Sequence, residues 1–242
     1  MHRRRSLSGY RDRMVTSSEP LALITGASRG LGAAIARELS GTHRLLLGAR
    51  TPAALTGILA ELPQAQPWPV DLTDYDEVAR AAAAIDRLDV LVHNAGIAEL
   101  GTVAESSVEL WRNVMEANLI AVAELTRLLL PALRAAKGHV VLINSGAGIR
   151  AAAGWGAYAA SKFALRAFGD SLRQEELDLR VTSIHPGRID TDMQQAIVAG
   201  EHRDYRPEDF LTADTVAQAV GHAVRTPRDA HPVEIVLRPV PR

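Results

Sequence analysis

A tyrosine and a lysine four residues apart are the side chains of this sequence best placed to do chemistry. The chain has two lysines against twenty-five arginines, and four tyrosines, yet it sets Tyr158 and Lys162 at positions i and i+4. On a helix these positions share one face, so an ammonium group would stand beside a phenol. A neighbouring cation favours the phenolate form, and such a pair could donate and accept a proton near neutral pH. The alternative interpretation of this spacing is a solvated helix face.

Alternating strands and helices are predicted to position this pair. Apolar runs predict strands at 21–24, 44–48, 68–70, 89–93, 139–143, 180–185 and 233–237. Helical stretches are predicted at 30–40, at 106–136, and around Tyr158 up to about 177. Two further helices are predicted, of which one begins at Thr51 and the other ends at about residue 86. This alternation predicts an α/β fold, namely a Rossmann-type doubly wound parallel sheet of about seven strands with helices on both faces. Ligands bind such sheets at the carboxyl ends of the strands.

Three local patterns bound the predicted helices. Ser106-Ser-Val-Glu109 is a capping box, which predicts the start of the long helix. Thr51-Pro52 predicts an N-cap followed by proline in the first turn. Lys137, the other lysine, stands before Gly138 at the predicted end of the long helix, where a cation suits the helix dipole and a glycine suits the C-cap.

The composition fits one large α/β domain, which is expected at residues 19–242. Apolar residues make up 47% of the chain, and the absence of cysteine excludes disulfides and thiolate metal sites. The eight histidines show no ligand spacing, so no metal site is predicted. No run of about 18 uncharged apolar residues predicts a membrane span, and a cytoplasmic location is expected.

Residues 1–18 are predicted to be a separate basic extension. Residues 1–13 contain five arginines and one aspartate, so the rest of the chain is acidic on balance and gives no reason to expect a nucleic acid partner. The extension is interpreted as a disordered tail or as sequence upstream of a true start at Met14. A transit-like peptide is the third alternative, since the segment is rich in Arg and Ser and poor in acid.

A glycine-rich segment follows the first predicted strand. Residues 26–32 have the pattern Gly-x-x-x-Gly-x-Gly, and the helix predicted at 30–40 begins inside this pattern. Glycines let the backbone approach a pyrophosphate, and the N-terminus of the helix favours that anion. The segment therefore predicts a dinucleotide-binding loop, with a purely structural turn as the alternative. The residues predicted to contact the cofactor are Gly26, Ser28, Arg29, Gly30, Leu31 and Gly32.

The end of the second predicted strand favours one dinucleotide over another. An NAD site places a carboxylate there, where it accepts hydrogen bonds from the ribose 2′-hydroxyl. Here Leu47-Gly-Ala-Arg50 contains no acid, and Arg50 together with Arg29 offers guanidinium groups that suit a 2′-phosphate. The sequence therefore favours NADP(H) over NAD(H), although each arginine alone is also consistent with an incidental surface position.

Taken together, the motifs resemble those of the short-chain dehydrogenase/reductase family in its single-domain form. The resemblance covers about residues 20–240 and includes, in order, the 26–32 loop, Asn94-Ala-Gly96, Asn118, Ser145, Tyr158 with Lys162, and Pro186-Gly187 through Thr191. It implies an oxidoreductase that transfers a hydride between NADP(H) and a carbonyl or alcohol substrate. It also implies a homodimer or homotetramer.

The resemblance implies a role for each candidate catalytic residue. Tyr158 would be the general acid in carbonyl reduction and the general base in alcohol oxidation, and Lys162 would lower its pKa and bind the nicotinamide ribose. Ser145 would hold and polarise the substrate oxygen. Asn118 would bend its helix around a water that connects Lys162 to solvent, and a solvent-facing polar residue is the alternative interpretation of this asparagine.

The resemblance also implies the cofactor contacts. They are Ser28 and Arg29 for the 2′-phosphate, Asp71 and Leu72 for the adenine, Asn94, Ala95 and Gly96 for the adenosine ribose, and Pro186, Gly187, Ile189 and Thr191 for the nicotinamide amide. His93 and His185 depart from the family pattern and are interpreted as structural residues.

The substrate itself is not specified by these motifs. Residues 146–155 and the segment after Thr191 are expected to form an apolar pocket, with residues 191–210 as a flexible loop that covers it. A non-catalytic dinucleotide-binding sensor or scaffold is the alternative function. A sensor has no need of Ser145, Tyr158 and Lys162 together, so their joint presence favours an enzyme. The glycine spacing and the short chain argue against an epimerase or a dehydratase.

Overall fold

A seven-stranded parallel sheet lies at the centre of the molecule, which a computed structural model describes over residues 19–201 and 203–240. Its strands are β1 (Leu21–Ile24), β2 (Arg44–Ala49), β3 (Gln66–Pro69), β4 (Val90–His93), β5 (His139–Ile143), β6 (Arg180–Pro186) and β7 (Glu234–Leu237). Their order across the sheet is β3-β2-β1-β4-β5-β6-β7, and all neighbours are parallel. The predicted Rossmann-type fold is confirmed. The extension predicted at 1–18 lies outside the described residues.

Helices cover both faces of the sheet. They are α1 (Gly30–Leu39), α2 (Thr56–Glu61), α3 (Tyr75–Ala82), α4 (Val108–Met115), α5 (Ala121–Ala136), α6 (Gly156–Glu175), α7 (Asp192–Gly200) and α8 (Ala213–Arg225). Short 3-10 helices occupy Pro52–Leu55, Gly146–Gly148 and Pro207–Asp209, and a π turn joins α4 to α5 at Glu116–Ile120. None of the described helices combines the length and the apolar character that crossing a lipid bilayer requires.

The strands bury side chains on both faces because successive residues point in opposite directions. Ile24 and Val92 pack on the face covered by α1 and α8. Leu23 and Leu91, one position earlier in each strand, pack on the face covered by α5 and α6. With both faces covered in this way, the ends of the strands remain as the places where polar side chains can gather.

The long helix predicted at 106–136 differs from the prediction in two ways. The N-cap is Ser107, whose Oγ accepts a hydrogen bond from the Leu110 N–H at 3.2 Å, whereas the Ser106 hydroxyl donates to the Thr102 carbonyl oxygen. The predicted capping box at Ser106 is therefore wrong by one residue. The helix is also interrupted by the π turn at Glu116–Ile120. Asn118 lies in this turn, and its side chain is buried in the interior.

The end of this helix also differs from the prediction. Lys137, not Gly138, adopts the left-handed conformation, with φ of 50°. Gly138 donates its N–H to the Leu133 carbonyl oxygen at 2.9 Å. A Cβ atom on Gly138 would lie 2.7 Å from the Leu88 carbonyl oxygen, so the glycine permits a close approach of two backbone segments.

The segment predicted as a flexible substrate loop at 191–210 contains α7 and a short 3-10 helix, and its flexibility stays a prediction. Thr191 caps α7 by accepting a hydrogen bond from the Gln194 N–H. Beyond α7, the Tyr205 hydroxyl donates to Asp190 at 2.6 Å, and its ring packs against Phe210. These contacts attach the segment at both ends to the chain that leaves β6.

Candidate active site

One large cleft, of about 1410 Å³, opens at the carboxyl ends of the strands. Of the residues predicted to form the site, the cleft is lined by Gly26, Ser28, Arg29, Gly30, Leu31, Arg50, Asp71, Leu72, Asn94, Ala95, Gly96, Ser145, Tyr158, Lys162, Pro186, Gly187, Ile189 and Thr191. Gly32 and Asn118 lie behind this surface. The topology brings these residues together because parallel strands all end at the same edge of the sheet.

The glycine loop after β1 turns sharply into α1. Gly26 and Gly30 have φ of 64° and 53°, a conformation that favours glycine. A Cβ atom on Gly32 would overlap the Gly26 carbonyl oxygen. Arg29 occupies the N-cap position of α1 without a side-chain cap, so the first N–H groups of the helix face the cleft uncapped. This arrangement suits a pyrophosphate.

A hydrogen-bond clamp fixes the glycine loop to the end of β4. The Asn94 Nδ2 donates to the carbonyl oxygens of Thr25 and Gly26, each at 3.0 Å. The Thr25 hydroxyl accepts hydrogen bonds from the Asn94 and Ala95 N–H groups and donates to the Val92 carbonyl oxygen. The Asn94 side chain therefore holds the loop in shape. Thr25, which the sequence analysis missed, is its partner, and its position directly before Gly26 was the available signal.

The end of β2 carries cationic rather than acidic groups. Arg50 follows β2, and Arg29 lies across the cleft, where its Nη1 is 3.3 Å from a carboxylate oxygen of Asp192. The pKa of Asp71 is lowered, first by the hydrogen bond from the Thr73 N–H, then by the Thr73 hydroxyl and by the charge of Arg50. A bound anion at this end would meet two guanidinium groups.

Ser145 and Tyr158 meet at the other end of the cleft. Ser145 follows β5, and Tyr158 lies in the first turn of α6, so that both side chains line the cleft. Burial raises the pKa of the Tyr158 phenol above its ordinary value, and the interaction with Ser145 offsets this only in part. Tyr158 is therefore protonated at neutral pH.

Lys162 lies on the same face of α6 and is almost completely buried. Its Nζ donates to the Ile143 carbonyl oxygen at 3.0 Å and lies 5.8 Å from the centre of the Tyr158 ring. Burial lowers its own pKa to about 8. The sequence predicted that the lysine would lower the pKa of the tyrosine. In this structure burial raises the pKa of the phenol, and the ammonium group donates its hydrogen bond to the Ile143 carbonyl oxygen, so the predicted effect of Lys162 on Tyr158 stays a prediction.

Asn118 connects α6 to the chain that leaves β4. It is 1% exposed, so the alternative of a solvent-facing residue is wrong. Its Oδ1 accepts from the Ile97 N–H, and its Nδ2 donates to the Ile97 carbonyl oxygen and to the Ser161 hydroxyl. Ser161 in turn donates to the Tyr158 carbonyl oxygen at 2.8 Å. The side chain thereby braces the turn of α6 that carries Tyr158, and the predicted water relay stays a prediction.

The two histidines that depart from the family pattern lie in different places. His93 is buried under α5, where its Nε2 is 2.8 Å from the Thr126 hydroxyl, and burial lowers its pKa to about 3. His185 is fully buried behind Ser145, whose carbonyl oxygen accepts a hydrogen bond from Nδ1 at 3.2 Å. On its other side Nε2 lies 3.5 Å from Glu234, which is paired with Arg166 of α6.

Removing the imidazole of His185 is expected to lower kcat by roughly tenfold, because it frees the backbone of Ser145 to shift, and small displacements in a catalytic site are costly. The dissociation constant for NADPH should remain within about twofold, and His185→Asn, which keeps a donor group, should recover part of the lost kcat. His93→Ala removes an equally buried imidazole that does not face the cleft, and serves as the control for lost stability. Equal losses of kcat in His185→Ala and His93→Ala would contradict this role.

The substrate end of the cleft mixes apolar and cationic groups. The Trp155 ring packs edge-on against Tyr158, with 5.7 Å between centres, and the Arg188 guanidinium lies 5.5 Å from the Trp155 ring. Arg188 also forms a two-point ion pair with Glu201 at the end of α7. Of the predicted wall, Gly146, Ala147, Arg150, Ala152 and Trp155 line the cleft, whereas Ile149, Ala151 and Ala153 do not. Sequence reasoning missed Arg188, Gln194 and Arg238, which also line it.

Comparison with known proteins places the chain in a family. Residues 20–202 match the family model described as short chain dehydrogenase. Dehydrogenase/reductase SDR family member 7B of Xenopus laevis is 36% identical over 228 residues, which cover 84% of this chain and 70% of that protein.

Two solved structures add to this comparison. The alcohol dehydrogenase of the archaeon Thermococcus sibiricus, complexed with 5-hydroxy-NADP, superposes with a TM-score of 0.84 at 30% identity and covers 92% of this chain and 97% of that chain. A metagenomic short-chain oxidoreductase in complex with NADP has a TM-score of 0.78 at 32% identity, over 92% of this chain and 98% of that one. The predicted family is confirmed: the chain belongs to the short-chain dehydrogenases.

Proposed function

We propose that this protein is an NADP(H)-dependent oxidoreductase that interconverts a carbonyl compound and an alcohol. The observation that carries the proposal is that Ser145, Tyr158 and Lys162 lie together in the same cleft as the glycine loop. A sensor that only bound a dinucleotide would need the loop alone. Two structural neighbours, one in complex with NADP and one with 5-hydroxy-NADP, support the choice of cofactor.

The chain offers groups that fit each part of NADP(H). The uncapped N–H groups of α1 would hold the pyrophosphate, Arg29 and Arg50 the 2′-phosphate, and Asp71 with Leu72 the adenine. Asn94, Ala95 and Gly96 would pass along the adenosine ribose, and Pro186, Gly187, Ile189 and Thr191 would hold the nicotinamide amide. The bound cofactor supplies or accepts the hydride, and the protein supplies orientation and the proton.

Tyr158 would protonate the oxygen of a carbonyl substrate. Its raised pKa keeps the phenol protonated at neutral pH, which is the form a general acid needs. Ser145 would hold the same oxygen through its hydroxyl. In the reverse direction Tyr158 would act as a base in its phenolate form, so alcohol oxidation would become faster as the pH rises toward the pKa of the phenol.

The proposal is tested by following NADPH absorbance with a panel of ketones, aldehydes, quinones and β-ketoacyl thioesters. Consumption of NADPH with at least one carbonyl compound is expected, together with a matching oxidation of the product alcohol by NADP⁺. Saturable binding of NADPH without turnover of any compound in either direction would favour the sensor instead.

Arg50→Ala is expected to raise the KM for NADPH by roughly ten- to a hundredfold, because a hydrogen bond between charged groups contributes about 1.5–3 kcal/mol. The KM for NADH should change by less than about twofold, since that cofactor has no 2′-phosphate. Arg80→Ala removes an equivalent exposed charge on α3, outside the cleft, and is the matched control. Equal losses for NADPH and NADH would refute the role of Arg50.

A homo-oligomer also belongs to the proposal. Apolar side chains on α4, on the π turn and on α6 are exposed, namely Val108, Ile120 and Phe163 at 58%, 46% and 42%. Exposed apolar groups on neighbouring helices favour contact with another protein surface. Light scattering on the purified protein would give its mass in solution, and a monomer at micromolar concentration would contradict this part of the proposal.

A further inference from the structure

The guanidinium group of Arg238 lies directly against the residue that follows Ser145. Arg238 comes immediately after β7, and its side chain reaches the cleft edge beside Gly146. The position that a Cβ atom would occupy on Gly146 is 3.1 Å from Nη1 and 3.3 Å from both Cζ and Nη2. A Cβ atom there would crowd the guanidinium, which lies one residue from a hydroxyl proposed to hold the substrate oxygen.

Part of the hydrogen-bonding capacity of Arg238 is already used by the protein. Its Nη1 donates to the carbonyl oxygens of His185 and Leu237 at 3.2 and 3.1 Å, which fixes the side chain across the ends of β6 and β7. An arginine has five N–H donors. Those on Nε and Nη2 have no acceptor within the described part of the chain. Nε and Nη2 together form the side of the guanidinium that binds a carboxylate at two points.

Another cationic group at this end of the cleft, Arg188, is paired with Glu201. Arg238 and Arg150 line the same cleft, and no ion pair joins either of them to a carboxylate of residues 19–201 or 203–240. The substrate end of the cleft therefore keeps positive charge after the internal ion pairs are formed.

We propose that the substrate carries a carboxylate close to the reacting carbonyl or alcohol group, and that Arg238 binds this carboxylate through Nε and Nη2. The substrate class is then an oxo acid and the corresponding hydroxy acid. The inference rests on the proposed oxidoreductase function and adds the chemical class of the substrate. Arg150, at the mouth of the cleft, contributes to the attraction of the anion by its charge.

The test compares acids with their neutral counterparts. Pyruvate, acetoacetate and levulinate, which differ in the distance from carboxylate to ketone, are each assayed against their methyl esters with NADPH, in wild type and in Arg238→Met. The wild type is expected to favour at least one acid over its ester by about tenfold or more in kcat/KM. Arg238→Met is expected to lower kcat/KM for that acid by roughly ten- to a hundredfold and to leave its ester within about twofold.

Arg80→Met removes the same type of side chain from the exposed face of α3 and should leave both substrates unaffected. A wild type that prefers every ester, or an Arg238→Met variant that loses acid and ester equally, would overturn the inference. Turnover of esters alone would leave the oxidoreductase function standing, whereas absence of turnover for all six compounds and for the wider carbonyl panel would count against that function.

A binding measurement keeps the inference testable without turnover. Titration calorimetry of the wild type saturated with NADP⁺ should show binding of the preferred oxo acid, and Arg238→Met should weaken this binding by tenfold or more. Thermal unfolding and NADP⁺ affinity of Arg238→Met should match the wild type, which separates loss of the anion contact from loss of the link between β6 and β7. Equal binding of the acid by both proteins would refute the role of Arg238.

Discussion

Replacing Tyr158 with phenylalanine is expected to lower kcat for carbonyl reduction by roughly a hundred- to ten-thousandfold, the range for loss of a general acid. The phenol is the protonated group that lines the cleft together with Ser145, and phenylalanine keeps the ring that packs against Trp155 while it removes the proton. Steady-state rates at several pH values, with the carbonyl substrate found in the panel, would measure the effect.

Tyr75→Phe is the matched control for this variant. Tyr75 has a half-buried, hydrogen-bonded hydroxyl, which donates to Glu116, but it lies outside the cleft, so its removal should leave kcat within about twofold. The Tyr158→Phe variant should still bind NADPH, since the ring contributes no charge to the phosphates. Undiminished turnover in Tyr158→Phe would rule out the proposed proton transfer.

Replacing Lys162 with methionine is expected to abolish most activity and to stabilise the fold. The pKa of Lys162 falls from an ordinary value of about 10.5 to about 8 on folding, because the buried site disfavours the charged form. Where both folded and unfolded chains carry the proton, below about pH 8, this shift costs the folded state about 3 kcal/mol. Lys162→Met, of similar length, removes that cost, less the lost hydrogen bond to the Ile143 carbonyl oxygen.

The pH dependence gives the second variant its sharpest test. The folded chain releases the lysine proton near pH 8 and the unfolded chain near 10.5, so the wild type gains stability from this residue between these values. The advantage of Lys162→Met in the free energy of unfolding should therefore be largest at pH 7 and vanish by about pH 10.5. Lys137→Met replaces an exposed lysine and should change stability by less than about 0.5 kcal/mol at both values. A destabilised Lys162→Met at pH 7 would contradict the expectation.

The fold was largely predictable because its signals are local and repeated. Buried parallel strands appear as short apolar runs, and each of the seven occurs within two residues of its predicted place. Most of the cleft residues were predictable for a related reason: they follow a strand, and parallel strands end at one edge. Helix boundaries were harder. Ser106 and Ser107 are the same residue type, so only the path of the chain from Thr102 decides which of them caps α4.

Features that depend on contacts between distant segments could not be predicted. The raised pKa of Tyr158 results from burial by the surrounding walls, and the spacing to Lys162 carries no information about it. The sequence does not distinguish Arg188 from the other twenty-four arginines, because its contacts with Glu201 and Trp155 form only in the folded chain. Arg238 gains its position from Gly146, which lies 92 residues away in the sequence. Such residues carry no sequence pattern of their own.

The position of Asn118 has a consequence for which substitutions the site tolerates. Its side-chain amide pairs with both the N–H and the carbonyl of Ile97, as the backbone of an adjacent strand would, so the helix imitates a peptide group at this point. Aspartate has the right shape but lacks the donor, and glutamine has both groups but is longer by one methylene. In this π turn, therefore, neither of the two nearest chemical relatives of asparagine has both the groups and the length to make the two hydrogen bonds to Ile97, and a single side chain does the work of a backbone segment.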